Sequence, residues 1–252
     1  MRPKRLSQSE LYGKGIFTTV AVNDRKPFLW DKHWSRIVSN ASALEIDLSN
    51  FARSTTLDAL NEAVAESGLT NGRARLTFSD ASPSPIWPHG ASSNTSLSII
   101  VAERRPVPDF FRITISRYRI NTTSPLIGIK SCNYLQELLS YKDAAKRGSH
   151  EAIRLNERGE LTSACMANMF WESDGKLFTP SLKTGCLPGT TREFVLENLD
   201  CVEVEQGIDE LETAERIFLT SAGIGVVKVA EFDGRRLDTS PHKLKELINW
   251  AG

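Results

Sequence analysis

Lys130 stands where the chain passes from an apolar tetrad (Leu126, Ile127, Gly128, Ile129) to a run with apolar residues at Leu135, Leu138 and Leu139. That change of pattern predicts a strand handing over to a helix, with the amine aimed from the strand end into a cleft. A desolvated lysine loses its proton readily and becomes a nucleophile able to form a Schiff base with a carbonyl. A lysine at an ordinary helix start instead reaches water along its stem. These residues alone leave both readings open.

A second stretch with chemical potential is GCLPGTTRE, residues 185–193. Gly189 allows a tight backbone turn, and Thr190 and Thr191 then open a helix whose free N–H groups and dipole favour an anion. A threonine-capped helix with no ligand fits the same letters. Arg36, in HWSRI, lies on an amphipathic pattern where an arginine usually marks a solvated face. The long loop ASPSPIWPHGASSN, residues 81–94, places Trp87 and His89 where they cover a substrate cleft or simply decorate a surface.

The bulk composition narrows the classes. Lysine plus arginine equals aspartate plus glutamate at 31 each, so no long-range field draws the chain to nucleic acid or to a membrane. Small anions must therefore be caught by local groups. Cys132, Cys165, Cys186 and Cys201 are far apart, with neither a C-x-x-C pair nor a histidine cluster. They read as reduced thiols rather than as zinc ligands or a disulfide scaffold. The start, MRPKRLSQSE, lacks the apolar core of a signal peptide, and no stretch reaches the length of a membrane span, so the expected location is cytoplasmic.

The elements that must position these groups follow from periodicity. IFTTVAV and the Lys26-Pro27 turn predict a hairpin over 16–30. DKHWSRIVSNASAL predicts a helix capped by Asp31, and LDALNEAVAESG a helix stopped by Gly68. GRARLTFSD and TSLSIIVAE read as strands. The prolines of ERRPVPDF put a boundary there, giving an α/β domain at 1–105 and a second at 110–252 that carries Lys130. Beyond it come a strand at 111–120, a helix near Tyr134 to Arg147, and strands in EAIRLN, ELTSACMANMFWE and KLFTP. TTREFVLENL is a helix, AERIFLTSAGIGVVKVAEF strand, turn and strand, and SPHKLKELINW a closing helix. The class is α+β, mixed α/β.

Read in series, GIKSCNYL, SHEAIRLNERGELTSACMANMFW, GKLFTPSL and GCLPGTTREFVLE resemble the class IV aminotransferase family, the fold-type IV pyridoxal-phosphate enzymes, from about Leu11 to Asp233. The resemblance implies a two-domain fold like that of D-amino-acid aminotransferase, a cofactor cleft between the domains, a homodimer and an amino-acid-like substrate. It implies pyridoxal 5'-phosphate held covalently by Lys130. It further implies that Arg36, Thr190, Thr191, Ser221 and the Ala222 backbone hold the phosphate, that Leu187 packs on the ring, that Tyr134 lies near the phenolic oxygen, and that Asn168 belongs to the cofactor-binding set.

Ser163 departs from that pattern, since the family has glutamate five residues before the asparagine matching Asn168. A carboxylate keeps a proton on the pyridine nitrogen and makes the ring a strong electron sink, whereas a hydroxyl offers a neutral hydrogen bond. Elimination manages with the weaker sink better than transamination does. YGKGIFTT, with Thr18 and Thr19, resembles the opening of 4-amino-4-deoxychorismate lyases, where the hydroxyls orient a substrate carboxylate or relay a proton. Lys14 stands where the family has aspartate, and the arginine expected after the F-T-T region is absent. The expected activity is therefore the lyase reaction that releases pyruvate and gives 4-aminobenzoate. The alternatives are an aminotransferase acting on D- or branched-chain amino acids and a homologue of little or no activity.

Overall fold

A computed structural model describes residues 6–83 and 94–248. The chain forms two compact units, Met1–Arg104 with Ile129–Tyr134, and Arg105–Gly128 with Leu135–Gly252.

In the first unit α1 (Gln8–Tyr12) precedes β1 (Gly15–Asn23) and the short β2 (Lys26–Pro27); then come α2 (Trp30–Ala43), α3 (Arg53–Ser67), β3 (Gly72–Asp80) and β4 (Thr95–Ala102). The sheet is antiparallel in the order β2-β1-β3-β4. Strict alternation on β3 buries Ala74, Leu76 and Phe78 and turns Arg73, Arg75 and Thr77 to the other face. The buried set meets Trp30, Ile37 and Ala41 of α2 and Leu60 and Val64 of α3. A fully buried leucine such as Leu60 contributes roughly 1.5–3 kcal/mol.

The expected hairpin is present, but its second arm has only two residues. Asp31 does not cap α2. Leu29 takes the capping position with φ 56°, and Asp31 lies in the first turn, where its charge suits the helix dipole. Gly68 ends α3 at φ 70°, as its lack of a side chain allows. Trp87 and His89 lie outside the described residues.

The strand expected at Leu126–Ile129 is replaced by a turn, because Gly128 takes φ 71° and breaks the extended path. The residues that follow pair with β1 instead: Phe17 N donates to Lys130 O at 2.9 Å, Cys132 N donates to Gly15 O at 2.8 Å, and Ile16 bridges Ser131. Lys130 therefore belongs with the first unit and not with the second domain assigned from the sequence.

The second unit runs β5 (Arg112–Ile115), α4 (Leu135–Lys146), β6 (Glu151–Leu155), β7 (Leu161–Ala164), β8 (Asn168–Ser173), β9 (Lys176–Pro180), α5 (Thr190–Asn198), β10 (Cys201–Val204), α6 (Asp209–Thr213), β11 (Arg216–Ser221), β12 (Gly225–Lys228), β13 (Glu231–Phe232), β14 (Arg235–Arg236) and α7 (Lys243–Leu247). These strands make two five-stranded sheets, β10-β9-β8-β11-β12 and β14-β13-β5-β6-β7. Ile113, Ile153 and Leu161 from one sheet share a core with Met169, Trp171 and Leu219 from the other. Phe170 and Phe218 project the opposite way onto Val195 of α5 and Leu244 of α7. This double burial explains why β8 reads as a continuous apolar run.

The strand expected over 111–120 is cut to four residues, and the long strand expected in ELTSACMANMFWE is two strands parted by a turn at 165–167. Glu151 makes that turn. Its carboxylate, wholly buried, accepts from Cys165 N at 3.1 Å and Met166 N at 3.2 Å. β10 has no counterpart in the expected pattern.

Candidate cofactor site

The pairing of residues 129–132 with β1 carries Lys130 to the side of Phe17. Its Nζ lies 4.5 Å from the Phe17 ring centroid and 4.8 Å from that of Tyr134, and donates to Tyr134 Oη at 3.3 Å. The two rings meet edge to face at 5.1 Å. Lys130 is thus half-buried against aromatic faces, which attract the cation while limiting the water that surrounds it. Phe17 also carries the Arg75 guanidinium on its ring at 3.7 Å.

Thr18 points to the other face of β1, toward α2. Its Oγ1 accepts from Arg36 Nη2 at 2.8 Å and lies 2.7 Å from His33 Nδ1. With one lone pair taken by Arg36, donation of the hydroxyl proton to Nδ1 gives both atoms a partner, so we assign His33 the Nε2–H tautomer. Burial first, then the Arg36 and Lys130 charges, hold the imidazole well below its ordinary pKa, which agrees with a neutral ring. Thr19 leaves the opposite face from Thr18, with Arg75 as its strand partner, so the two threonines do not act as a pair.

In the second unit the turn before α5 is built from backbone. Asn168 Nδ2 donates to Leu187 O at 2.8 Å. A Cβ at Gly189 would stand 1.9 Å from Asn168 Oδ1, so only glycine fits beside that amide. Thr190 and Thr191, each 3 % exposed, then start α5 and leave their N–H groups at its positive end. Arg192 is held away from the turn by Pro180 O and Glu203.

Asn168 is the strand partner of Thr220, whose buried Oγ1 has no hydrogen-bond partner among the described residues. Ser221 ends β11, and Ala222 lies in the turn that follows. Leu187 is half-buried, as is Ser163 on β7. The tight cradle at Gly189 and the unused hydroxyl of Thr220 fit a phosphorylated ligand, and the aromatic-flanked amine of Lys130 fits an aldehyde.

Within the first unit the fold gathers Lys130 with Tyr134, and Arg36 with Thr18; within the second it joins Asn168 to the Leu187–Thr191 segment. The Arg36 contact seen is to Thr18. His33, Phe17 and Thr220 escaped the sequence reading. Only His33 left a trace, three residues before Arg36 and so on the same helical face.

Several known proteins are similar to this chain in sequence or in fold. A putative branched-chain-amino-acid aminotransferase of Methanocaldococcus jannaschii is 26% identical over 94% of this chain and 86% of its own length. Aminodeoxychorismate lyase of Bacillus subtilis is 25% identical over 88% of this chain and 79% of its own. The crystal structure of a putative 4-amino-4-deoxychorismate lyase from Legionella pneumophila superposes with a TM-score of 0.89 at 23% identity, covering 98% of this chain and 94% of that one. Among the solved structures of similar fold, one is recorded in its PLP-bound form and another with a phosphopyridoxyl-glutamate. The model of the family described as Amino-transferase class IV matches residues 15–232, from β1 through β13, and on that match the chain belongs to the class IV amino-transferases.

Proposed function

We propose that the protein is a pyridoxal-phosphate enzyme acting as a 4-amino-4-deoxychorismate lyase. The observation that carries this reading is the half-buried Lys130 amine on the Phe17 and Tyr134 rings. When bound, the cofactor supplies an aldehyde for the substrate amine and a ring that accepts electrons from the adjacent carbon. Lys130 would take the aldehyde of the cofactor, and the turn at Gly189 is suited to a phosphate. Ser221 and the Ala222 backbone would add phosphate contacts, and Leu187 would pack on the ring.

With the substrate amine bound, Lys130 Nζ would remove the proton from the amine-bearing carbon and return one as pyruvate leaves. Tyr134 Oη, 3.3 Å away, orients that amine. Ser163 would offer the ring nitrogen a neutral hydroxyl, which suits elimination more than transamination. The FTT segment and the lyase named for the Bacillus subtilis relative support the same choice. The second reading, an aminotransferase acting on D- or branched-chain amino acids, is supported by the name of the Methanocaldococcus jannaschii relative.

Leu135, Leu138 and Leu139 of α4 are 67%, 42% and 47% exposed and form one apolar stripe. We propose that a second copy of the chain covers it, which light scattering tests. Among the described residues the four cysteines are free, and no helix is long and apolar enough to cross a membrane. Both features accord with a cytoplasmic enzyme.

Purified protein mixed with pyridoxal phosphate should gain a visible absorbance band, and borohydride should fix the added mass on the Lys130 peptide. The loaded enzyme should then release pyruvate from 4-amino-4-deoxychorismate without passing to the pyridoxamine form. Exchange with an amino donor and a keto acid would move the assignment to the aminotransferase. Protein that takes up no cofactor would end both readings.

A further inference from the structure

Ser163 has a charged neighbour that the sequence does not reveal. In the antiparallel pairing of β6 with β7 its partner is Arg154, so the two side chains leave the same face of the sheet. α4 covers that face, with Ala144 packed among Ala152 and Cys165. Arg154 is 3% exposed, and its Nη1 donates to Glu137 Oε1 on α4 at 2.9 Å. Arg154 Nε and Glu137 Oε2 are buried with no hydrogen-bond partner among the described residues. Ion pairs of this kind contribute little stability beyond an apolar replacement of the same shape, so packing alone does not account for it.

We propose that Arg154 determines the reaction type by opposing protonation of the ring nitrogen. This rests on the reading above, in which Ser163 faces that nitrogen. A fixed cation across one strand pair disfavours a second positive charge at the pyridine. Glu137, contacting the guanidinium from the helix, fixes Arg154 on the face that Ser163 shares. The weakened electron sink then favours expulsion of a leaving group over reprotonation of the cofactor carbon. A further consequence concerns a glutamate restored at 163: it would be captured by Arg154 instead of protonating the ring.

The test uses the holoenzyme reconstituted with pyridoxal phosphate labelled with 15N in the ring, whose nitrogen resonance reports protonation across pH. Ser163→Glu alone should leave the nitrogen unprotonated near neutral pH. Combined with Arg154→Met and Glu137→Gln, which remove the ion pair as a unit, it should raise the nitrogen's proton affinity by about a hundredfold over Ser163→Glu, a shift of about two pH units. Arg154→Lys should keep the wild-type titration, since it keeps the charge. A nitrogen protonated as fully in Ser163→Glu as in the triple variant would overturn the proposal. Should the triple variant not fold, the resonance of Ser163→Glu by itself decides: unprotonated supports the proposal and protonated refutes it. Wild-type protein that binds no labelled cofactor would overturn the underlying reading, and this inference with it.

Discussion

The lysine region of the first unit and the Gly189 turn of the second are built from different materials. Around Lys130 the contacts are made by side chains, an amine on aromatic rings and a threonine tying histidine to arginine. Around Gly189 they are made by backbone, a carbonyl held by Asn168 and amides opening α5. The first kind of site is disabled by deleting a functional group. The second is disabled by adding atoms, because its capacity lies in close approach.

Lys130→Ala should produce the largest effect, cutting turnover roughly a thousandfold or more while the melting temperature stays near wild type. Turnover that survives would show that the aromatic-flanked amine does no chemistry. Gly189→Ala should come next. The new Cβ must push Asn168 aside and cost its bond to Leu187 O, a loss of about 1–3 kcal/mol read as weakened cofactor affinity on titration. Unchanged affinity would show that the turn tolerates bulk and is not a close-approach site.

Thr18→Val should act more gently. It leaves His33 Nδ1 and Arg36 Nη2 without the shared hydroxyl, and about 1–3 kcal/mol of stability should be lost in denaturant unfolding. A smaller loss in His33→Gln/Thr18→Val than the two single changes summed would show that they belong to one chain.

The most gradual effects are slopes of stability against pH, and they run in opposite directions. His33 stays neutral when folded, so below pH 6.5 the unfolded chain takes up a proton that the folded one refuses, and stability falls as pH drops. For Glu151 burial, working against Arg105 and the surrounding N–H groups, pushes the carboxyl up to about 7 from 4.5. The unfolded chain therefore releases its proton first, and stability falls as pH rises between those values, by on the order of 3 kcal/mol. His33→Gln should flatten the first slope and Glu151→Gln the second in melting series over pH 4–8. Parallel slopes in wild type and both variants would mean that neither buried group carries the linkage.

Local pattern was a good guide where one face or one capping residue decides the outcome. GRARLTFSD is β3 as read, because its alternation matches a half-buried strand, and α3 stops at Gly68, where a left-handed residue was needed. It misled where distant partners decide. The apolar tetrad before Lys130 is a turn, and the extended residues are those that find β1 more than a hundred positions away in sequence. ELTSACMANMFWE breaks because Glu151, from the preceding strand, captures two amides in its middle.

By itself the sequence determined the family pattern, the lysine, and the glycine-threonine turn, since each is written in residue types at short spacing. Tertiary structure alone decided that Lys130 lies on aromatic rings, that Thr18 and Thr19 face opposite ways, and that Arg154 stands across from Ser163. The physical reason is that strand register is set by long-range pairing and burial. A shift of one residue would send every one of these side chains to the other face.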